Sequence, residues 1–565
     1  MAIFSFNLIN QPWIPCVTST ETNVKPLSLR ETLARSAEIV EIADTSPLVV
    51  AAIHRFLLAV VHRVANGPAT MDHWHDLWTA GELDIRSLDA YLEKHRHRFD
   101  LFDSIHPFYQ TAGLDYAYET SISKLVHELA SGHNTTLFDH TLESSPPGLT
   151  SAQAARYLVA FQPFAVGGLI AREKGQAPSA NHAPLTKGAV ALVKGANLFQ
   201  TILLNLHHYA ADAPFTTQVD DMPAWEKDTG TLPQDSTPKG YLDLLTWQSR
   251  RVRLHPLESP EGETLIRRVV IMQGQQFTDA YAQTAHQNEL FIAYRLNKKP
   301  SVGQPPASPI SFRETRALWR DSTAILQVSP EVAIRPRILD WLSDLMGERL
   351  LDPALTLRLD FCGLASDRAK VNLWRHERLP LPLAYLMDKD LVGKLSNGLA
   401  LTEDVGKLFR PGFDSEIING KKVSHPRPFQ RLATALLAPA TGNPDQDTVR
   451  KLVVRLNPEA AYWPALEAPF KRFMVDLADQ WPHYDPDAED AKPLPAQQEW
   501  AGQVEKAARN AFATATSGLD TSARSLKALA LAERTFGTRL RRILKATTET
   551  PKAAGGDSDS TANAN

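Results

Sequence analysis

Three short segments carry side chains suited to gripping a nucleic acid. In Cys362-Gly363-Leu364-Ala365-Ser366-Asp367-Arg368-Ala369-Lys370, a bend joins the strand-like run 355–361 to Val371-Asn372-Leu373-Trp374. Arg368 and Lys370 at such a bend suit a groove or a row of phosphates; the plain alternative is a solvated turn. In Pro163-Phe164-Ala165-Val166-Gly167-Gly168, leading to Arg172, Lys174 and Lys187, two adjacent glycines allow close backbone approach and expose N–H donors, or simply turn the chain. Ser131-Gly132-His133-Asn134-Thr135-Thr136-Leu137-Phe138-Asp139-His140 follows a helix ending near Leu129 and is polar except at Leu137 and Phe138. Phe138 is placed to stack on a base, or to fold back into its own core. A fourth signal is charge. Residues 524–545 hold Arg524, Lys527, Arg534, Arg539, Arg541, Arg542 and Lys545 against only Glu533. Opposite an apolar stripe this makes a basic face, either merely solvated or tracking a displaced strand.

Motifs for reaction chemistry are missing. The chain has no Gly-x-x-x-x-Gly-Lys-Ser/Thr, no Gly-x-Gly-x-x-Gly, no His-Glu-x-x-His and no Gly-x-Ser-x-Gly. His73-Trp74-His75 and His95-Arg96-His97 are i, i+2 pairs, a spacing that a helix splits between faces. His75-Asp76 alone is too little for a nuclease metal site, so these histidines read as solvated or capping. Glu489-Asp490 sits in a Pro/Asp-rich loop and reads as solvated. No cofactor and no metal is implied. A hydrolase or transferase, with a site assembled from distant residues of the mixed domain, is the alternative function. A scaffold without DNA contact is a third.

The elements that must position these segments fall into two kinds. Residues 1–378 mix strand-like runs, such as Val269-Val270-Ile271-Met272 and Leu290-Phe291-Ile292-Ala293-Tyr294, with helices. Phe6-Asn7-Leu8-Ile9 reads as an edge strand running into the locked turn Pro12-Trp13-Ile14-Pro15. Residues 54–64 read as a buried helix stopped at Asn66-Gly67-Pro68; the apolar run 53–64, broken by His54, Arg55, His62 and Arg63, is too short and polar to span a bilayer. Pro380-Leu381-Pro382 reads as a hinge. Beyond it, three stripes at helical spacing predict a four-helix bundle over 385–547: Trp463, Leu466, Phe470, Phe473 and Leu477; Trp500, Val504, Ala508 and Phe512; Leu526, Leu529, Phe536, Leu540 and Leu544. Residues 548–565 lack large apolar side chains and are expected to form a disordered tail. The class is α+β: a large mixed domain, then a helical bundle.

Composition sets the bounds. A chain of 565 residues with 43% apolar residues buries a substantial core. Cys16 and Cys362 are the only cysteines, too few for a disulfide framework or a cysteine-rich zinc site, and free thiols fit a reducing cytoplasm. No basic region with a long apolar run opens the chain, so no signal peptide is expected. The formal charge of −4 argues against a basic coat while allowing local basic patches.

The order of several weak motifs resembles one family. These are the opening 6–15, His106-Pro107-Phe108-Tyr109-Gln110-Thr111, the Gly167-Gly168 loop, the segment 197–205, Tyr241-Leu242-Asp243-Leu244-Leu245-Thr246-Trp247-Gln248, Asp367-Arg368-Ala369-Lys370 and the helical C-terminal part. Together they are similar to the CasA-type large subunit of the type I-E CRISPR Cascade complex. The resemblance implies a non-catalytic subunit that reads the short PAM motif in duplex DNA, helps open the duplex for guide pairing and recruits a helicase–nuclease. It implies partners: crRNA and the other Cascade subunits, and target double-stranded DNA, with no membrane. It implies that Asn134, Phe138 and His140 contact the crRNA 5′ handle or a neighbouring subunit. Gly167 and Gly168 would bring backbone near the PAM, and Ser366, Asp367 and Arg368, with Lys370 beside them, would form a wedge splitting the first target pair. A PAM-reading lysine is expected near 268–276, where this chain has none; Arg268, Gln273 or Gln275 would substitute. Arg534, Arg541 and Arg542 would hold the displaced strand.

Overall fold

Ser46 and Pro47 start the helix on which the first unit is built. The Ser46 side chain accepts from the Val49 backbone N–H and proline fills the first turn of Pro47–Val64. Sixteen of its eighteen residues are buried. Its full length would reach across a bilayer, contrary to the shorter apolar run read from the sequence, but this is a core helix apolar all round. The computed structural model describes residues 4–548 except 22, 130–145, 174–178, 229–234, 299, 301–303, 327–330, 332, 368–369, 420, 439–442 and 485–491. Contacts divide the chain into Met1–Lys389 and Asp390–Asn565.

The core helix is tied to a sheet by a buried polar chain. His54 Nδ1 lies 2.7 Å from the Val50 carbonyl and its Nε2 lies 2.7 Å from Lys194 Nζ. Burial pushes the His54 ring down to about 3, so Nδ1 carries the proton and Nε2 accepts from the lysine. Lys194 ends the strand Val190–Lys194, which pairs with Thr356–Asp367; that strand in turn pairs with Lys370–Pro382. The last two form a long hairpin closing at Asp367↔Lys370. At its base Asp360 accepts from Arg358 at 2.6 Å and His376 at 3.0 Å. Pro380-Leu381-Pro382 is therefore no hinge. It pairs with Arg358, Leu357 and Thr356, and Leu381 is fully buried. The first unit runs on to Lys389, through residues expected in the hinge and at the start of the bundle.

A second ribbon, Arg250–Glu258 with Thr264–Gln273, pairs further with Thr120–Ser121 and Leu149–Thr150. It contains the expected run 269–272. The opening segment differs from expectation: Asn7 makes an isolated bridge to Asp100 and the chain turns at 8–10, so the strand is Ile14–Thr18. Trp13 explains the shift. It is fully buried, and its indole N–H donates to the Leu8 carbonyl at 3.1 Å, folding 8–13 into a turn.

The second unit packs four long helices, Lys389–Gly406, Glu459–Gln480, Pro495–Thr516 and Ala523–Thr548, with shorter Pro428–Leu437 and Gln446–Leu456. Trp500 stacks on Phe473 at 5.3 Å and donates to the Gly398 carbonyl at 2.9 Å. A Cβ on Gly398 would stand 2.6 Å from the Phe473 ring, so glycine sets that close approach. Two stripes are buried as read. The third differs: on the last helix the buried face is Ser525, Ala528, Ala532, Phe536 and Leu540, whereas Leu526 is 54% exposed. Phe536 and Leu540 are buried as read, while at the start of the helix Ser525, Ala528 and Ala532 take the inner face in place of Leu526 and Leu529. The hairpin Phe413–Ile418/Lys421–Pro426 was not legible in a stretch that reads as helical. Of the expected tail, Thr548 ends the last helix and the remainder lies outside the described residues.

This core makes two testable demands. Trp500→Ala is expected to destabilise the second unit by about 3–5 kcal/mol, read as a lowered urea midpoint. His54, His62, His127 and His207 are pushed by burial to about 3, 4, 4 and 3 from an ordinary 6.5. Each binds a proton more readily unfolded than folded, so stability present above pH 6.5 falls as pH drops towards 4, by up to about 1.4 kcal/mol per pH unit per ring. Urea midpoints at pH 7, 6 and 5 check this, and His207→Gln should flatten the slope.

Candidate nucleic-acid interface

The glycine loop leaves a helix that a capping box begins, with Thr150 and Gln153 as the reciprocal pair of Ser151–Phe164. Pro163 lies in the last turn, and Ala165 N–H closes it on the Phe161 carbonyl at 2.8 Å. The chain then turns through Gly167 and Gly168, and Gly168–Leu169 pairs with Ser179–Ala180. Gly167 is buried. Its N–H donates to His182 Nδ1 at 3.1 Å, and a Cβ would come within 2.9 Å of the Ala180 carbonyl oxygen and the His182 nitrogen. Gly167 is thus required by packing inside the loop, and its N–H is already engaged by His182. Gly168, at φ 153°, is half-buried at the rim.

Arg250 holds this loop. Only 2% exposed, its guanidinium donates to the carbonyls of Asn181 at 2.6 Å, Ser249 at 2.9 Å, Val166 at 3.3 Å and Ala165 at 3.5 Å. Burial pulls its pKa to about 10, so it stays charged at neutral pH. Gln162 fixes the Arg250 backbone from both sides, donating to its carbonyl and accepting from its N–H, each at 3.0 Å.

The other expected residues are distributed as follows. Gln275 is 8% exposed; its N–H donates to the Gln248 carbonyl and its side-chain oxygen accepts from Gln248 N–H. It closes a turn with little of its surface exposed. Gln273 is also buried, at 4%. Arg268 keeps a 41% exposed side chain, 3.8 Å from Glu119. On the long hairpin Asp367 and Lys370 are exposed and Ser366 half-buried, with a bulge between Ala365 and Ser366. Arg368, Asn134, Phe138 and His140 lie outside the described residues. On the last helix Arg534, Arg541 and Arg542 are exposed; by helical spacing Arg534 and Arg541 lie opposite Ala532 and Phe536, and Arg542 lies at the flank of that buried face. Arg539 instead pairs with Asp414 of the small hairpin.

One cavity of about 250 Å³ gathers the first unit's segments. Lys124, His127 and Leu129 line it on the approach to segment 131–140. Gly167, Gly168 and Leu169 come from the glycine loop, Ile271 from the ribbon and Val371 from the long hairpin, with Arg250 behind. Sequence reasoning singled out all of these segments but Arg250. A buried arginine without a carboxylate has no local signature in sequence. Chemically the cavity lacks a general acid–base pair: no carboxylate or cysteine lines it among the described residues, His127 is held neutral by burial, and the guanidinium is spent on carbonyls.

Comparison with known proteins places this geometry. The profile of the family described as CRISPR-associated protein Cse1 matches residues 7–511. The CRISPR-associated protein CasA/Cse1 of Thermus thermophilus is 33% identical over 542 residues, 94% of this chain and 96% of that protein. A crystal structure of Thermus thermophilus CasA superposes with a TM-score of 0.74 at 30% identity, covering 95% of this chain and all of that one. The Cse1 structure from Acidimicrobium ferrooxidans, at 22% identity, shares the fold with a TM-score of 0.75 over 97% of this chain and all of its own. A chain of a CRISPR RNA-guided surveillance complex, at 21% identity, shares it at 0.67 over 95% of this chain and 99% of its own.

The staple is testable directly. Arg250→Leu should cost about 1–3 kcal/mol of stability by orphaning buried carbonyls. It should also speed proteolysis within 163–182, while the second unit's protease resistance stays unchanged.

Proposed function

The chain belongs to the CRISPR-associated Cse1 (CasA) family, and we propose that it is the PAM-reading large subunit of a type I-E RNA-guided DNA surveillance complex. In this role it is a cytoplasmic, non-enzymatic component bound to crRNA and partner subunits. It engages the PAM in duplex DNA, nucleates strand separation and recruits the helicase–nuclease that degrades the target. The observation that carries this is the convergence of the glycine loop, the ribbon and the long hairpin on one cavity without reaction chemistry.

The physical steps follow from the residue types. Gly168 and the hairpin end at 366–370 approach the duplex, and Lys370 and Arg268 neutralise phosphates. A minor-groove reader distinguishes A·T from G·C but not A·T from T·A, so several PAM sequences are tolerated. Guide pairing supplies the remaining specificity, while the protein meets the local unstacking cost, a few kcal/mol per step. The segment 131–140 contacts the crRNA 5′ handle or a neighbouring subunit. Arg534, Arg541 and Arg542 hold the freed strand through phosphate contacts that weaken as salt rises.

A complex reconstituted with crRNA should bind and open duplexes from a PAM library selectively. Lys370→Ala and Arg268→Ala should each weaken binding across sequences and lower the slope of log K against log salt by about 1. Equal opening of PAM-bearing and PAM-free duplexes would contradict the reading.

A further inference from the structure

The glycine loop presents outward a residue that neither glycine's role requires. Leu169 is 87% exposed, the most exposed large apolar side chain among the described residues. An isolated surface leucine ordinarily needs no explanation. This one differs in being held stiffly. Its strand pairs with Ser179–Ala180, Gly167 is locked to His182, and Arg250 binds carbonyls on both arms of the loop. A flexible loop could fold a leucine back onto the apolar wall of the adjoining cavity; this loop holds it in solvent.

Its surroundings indicate what covers it. Lys124 is exposed on the rim of the same cavity. Arg268 stands one register position from the pairing of Val269 with Thr120, another rim residue. Tyr118, 43% exposed, adds a second apolar surface on that rim. No carboxylate lines the cavity among the described residues. An apolar projection on a rim that also carries Lys124, with Arg268 on the adjoining strand 3.8 Å from Glu119, suits a duplex, whose phosphates flank an apolar edge of sugars and stacked bases. An acidic protein surface is the other candidate occupant, and the assembly readout below separates it from DNA.

We propose that Leu169 is an apolar wedge, seated in the minor groove against a base-pair step beside the PAM, where it loosens stacking before the long hairpin enters. This rests on the PAM-reading role above. Proteins that bend DNA through the minor groove insert such side chains between base steps. The division of labour follows from the loop. Gly167 and Arg250 set the backbone, Gly168 leaves space at the rim, and Leu169 supplies the contact.

Because the side chain is exposed, its replacement leaves the fold intact. Complexes reconstituted with crRNA, carrying wild type, Leu169→Ala or Leu169→Phe, are given a PAM-bearing duplex with 2-aminopurine at the first target pair. Leu169→Ala should assemble normally and open the duplex about 10-fold more slowly or worse, the effect of leaving a leucine's apolar area without its partner. Leu169→Phe should stay near the wild-type rate. A wild-type opening rate in Leu169→Ala overturns the inference when the wild-type complex discriminates the PAM. Poor assembly of Leu169→Ala with normal opening once assembled also overturns it, and assigns the leucine to a neighbouring subunit. A wild-type complex without PAM discrimination overturns both this inference and the role it rests on.

Discussion

A buried guanidinium with only carbonyls for company is the constraint on which the first unit's candidate interface depends. Removing an arginine from water is costly, and among the described residues no carboxylate offsets the cost. Four carbonyls do so in part, and they come from separate places: Ser249 on the ribbon side, Ala165 and Val166 before the glycines, and Asn181 after them. Each of these segments must stay where it is for the charge to remain tolerable. The described arms of the loop are therefore tied to the sheet they lean on, with two residues of each arm paired as strand. In the proposed role such anchoring favours binding, because less conformational freedom is left to lose.

The base of the long hairpin follows the same logic with different groups. Lys194 reaches a neutral His54 in the core helix and lies 3.8 Å from Glu41, while Asp360 gathers Arg358 and His376. The hairpin root is thus cross-linked to the core, and the end near Asp367 and Lys370 projects from a fixed support. The two devices place the glycine loop and the hairpin end against one cavity, with Leu169 and Val371 among its walls.

Much of this arrangement was legible in the sequence, for stated reasons. Paired glycines and a basic bend between strands are local signals, and the segments they mark adjoin one cavity. Aromatic stripes at spacing 3 and 4 marked two helices of the bundle, because large side chains at that period have one place to go. What could not be read depends on long-range partners. Gly167 is explained only by Ala180 and His182. Gln275 looks like a displayed amide until Gln248 is seen to occupy it. The first half of the last helix turns Ser525, Ala528 and Ala532 inward, so Leu526 misdirects a reading based on size, whereas Phe536 and Leu540 lie where size places them. Prolines at 380 and 382 suggest a hinge, yet each pairs across the hairpin at its far end. Histidines 54, 62 and 207 read as polar and are core residues that stay neutral.

In the proposed role the hairpin end sits at the junction between the PAM and the first target pair. The most direct test is photocrosslinking from position 370. A benzoylphenylalanine there, in the assembled complex on PAM-bearing duplex, is predicted to label nucleotides at that junction. Labelling of a partner subunit, of crRNA, or of DNA far from the PAM would contradict it.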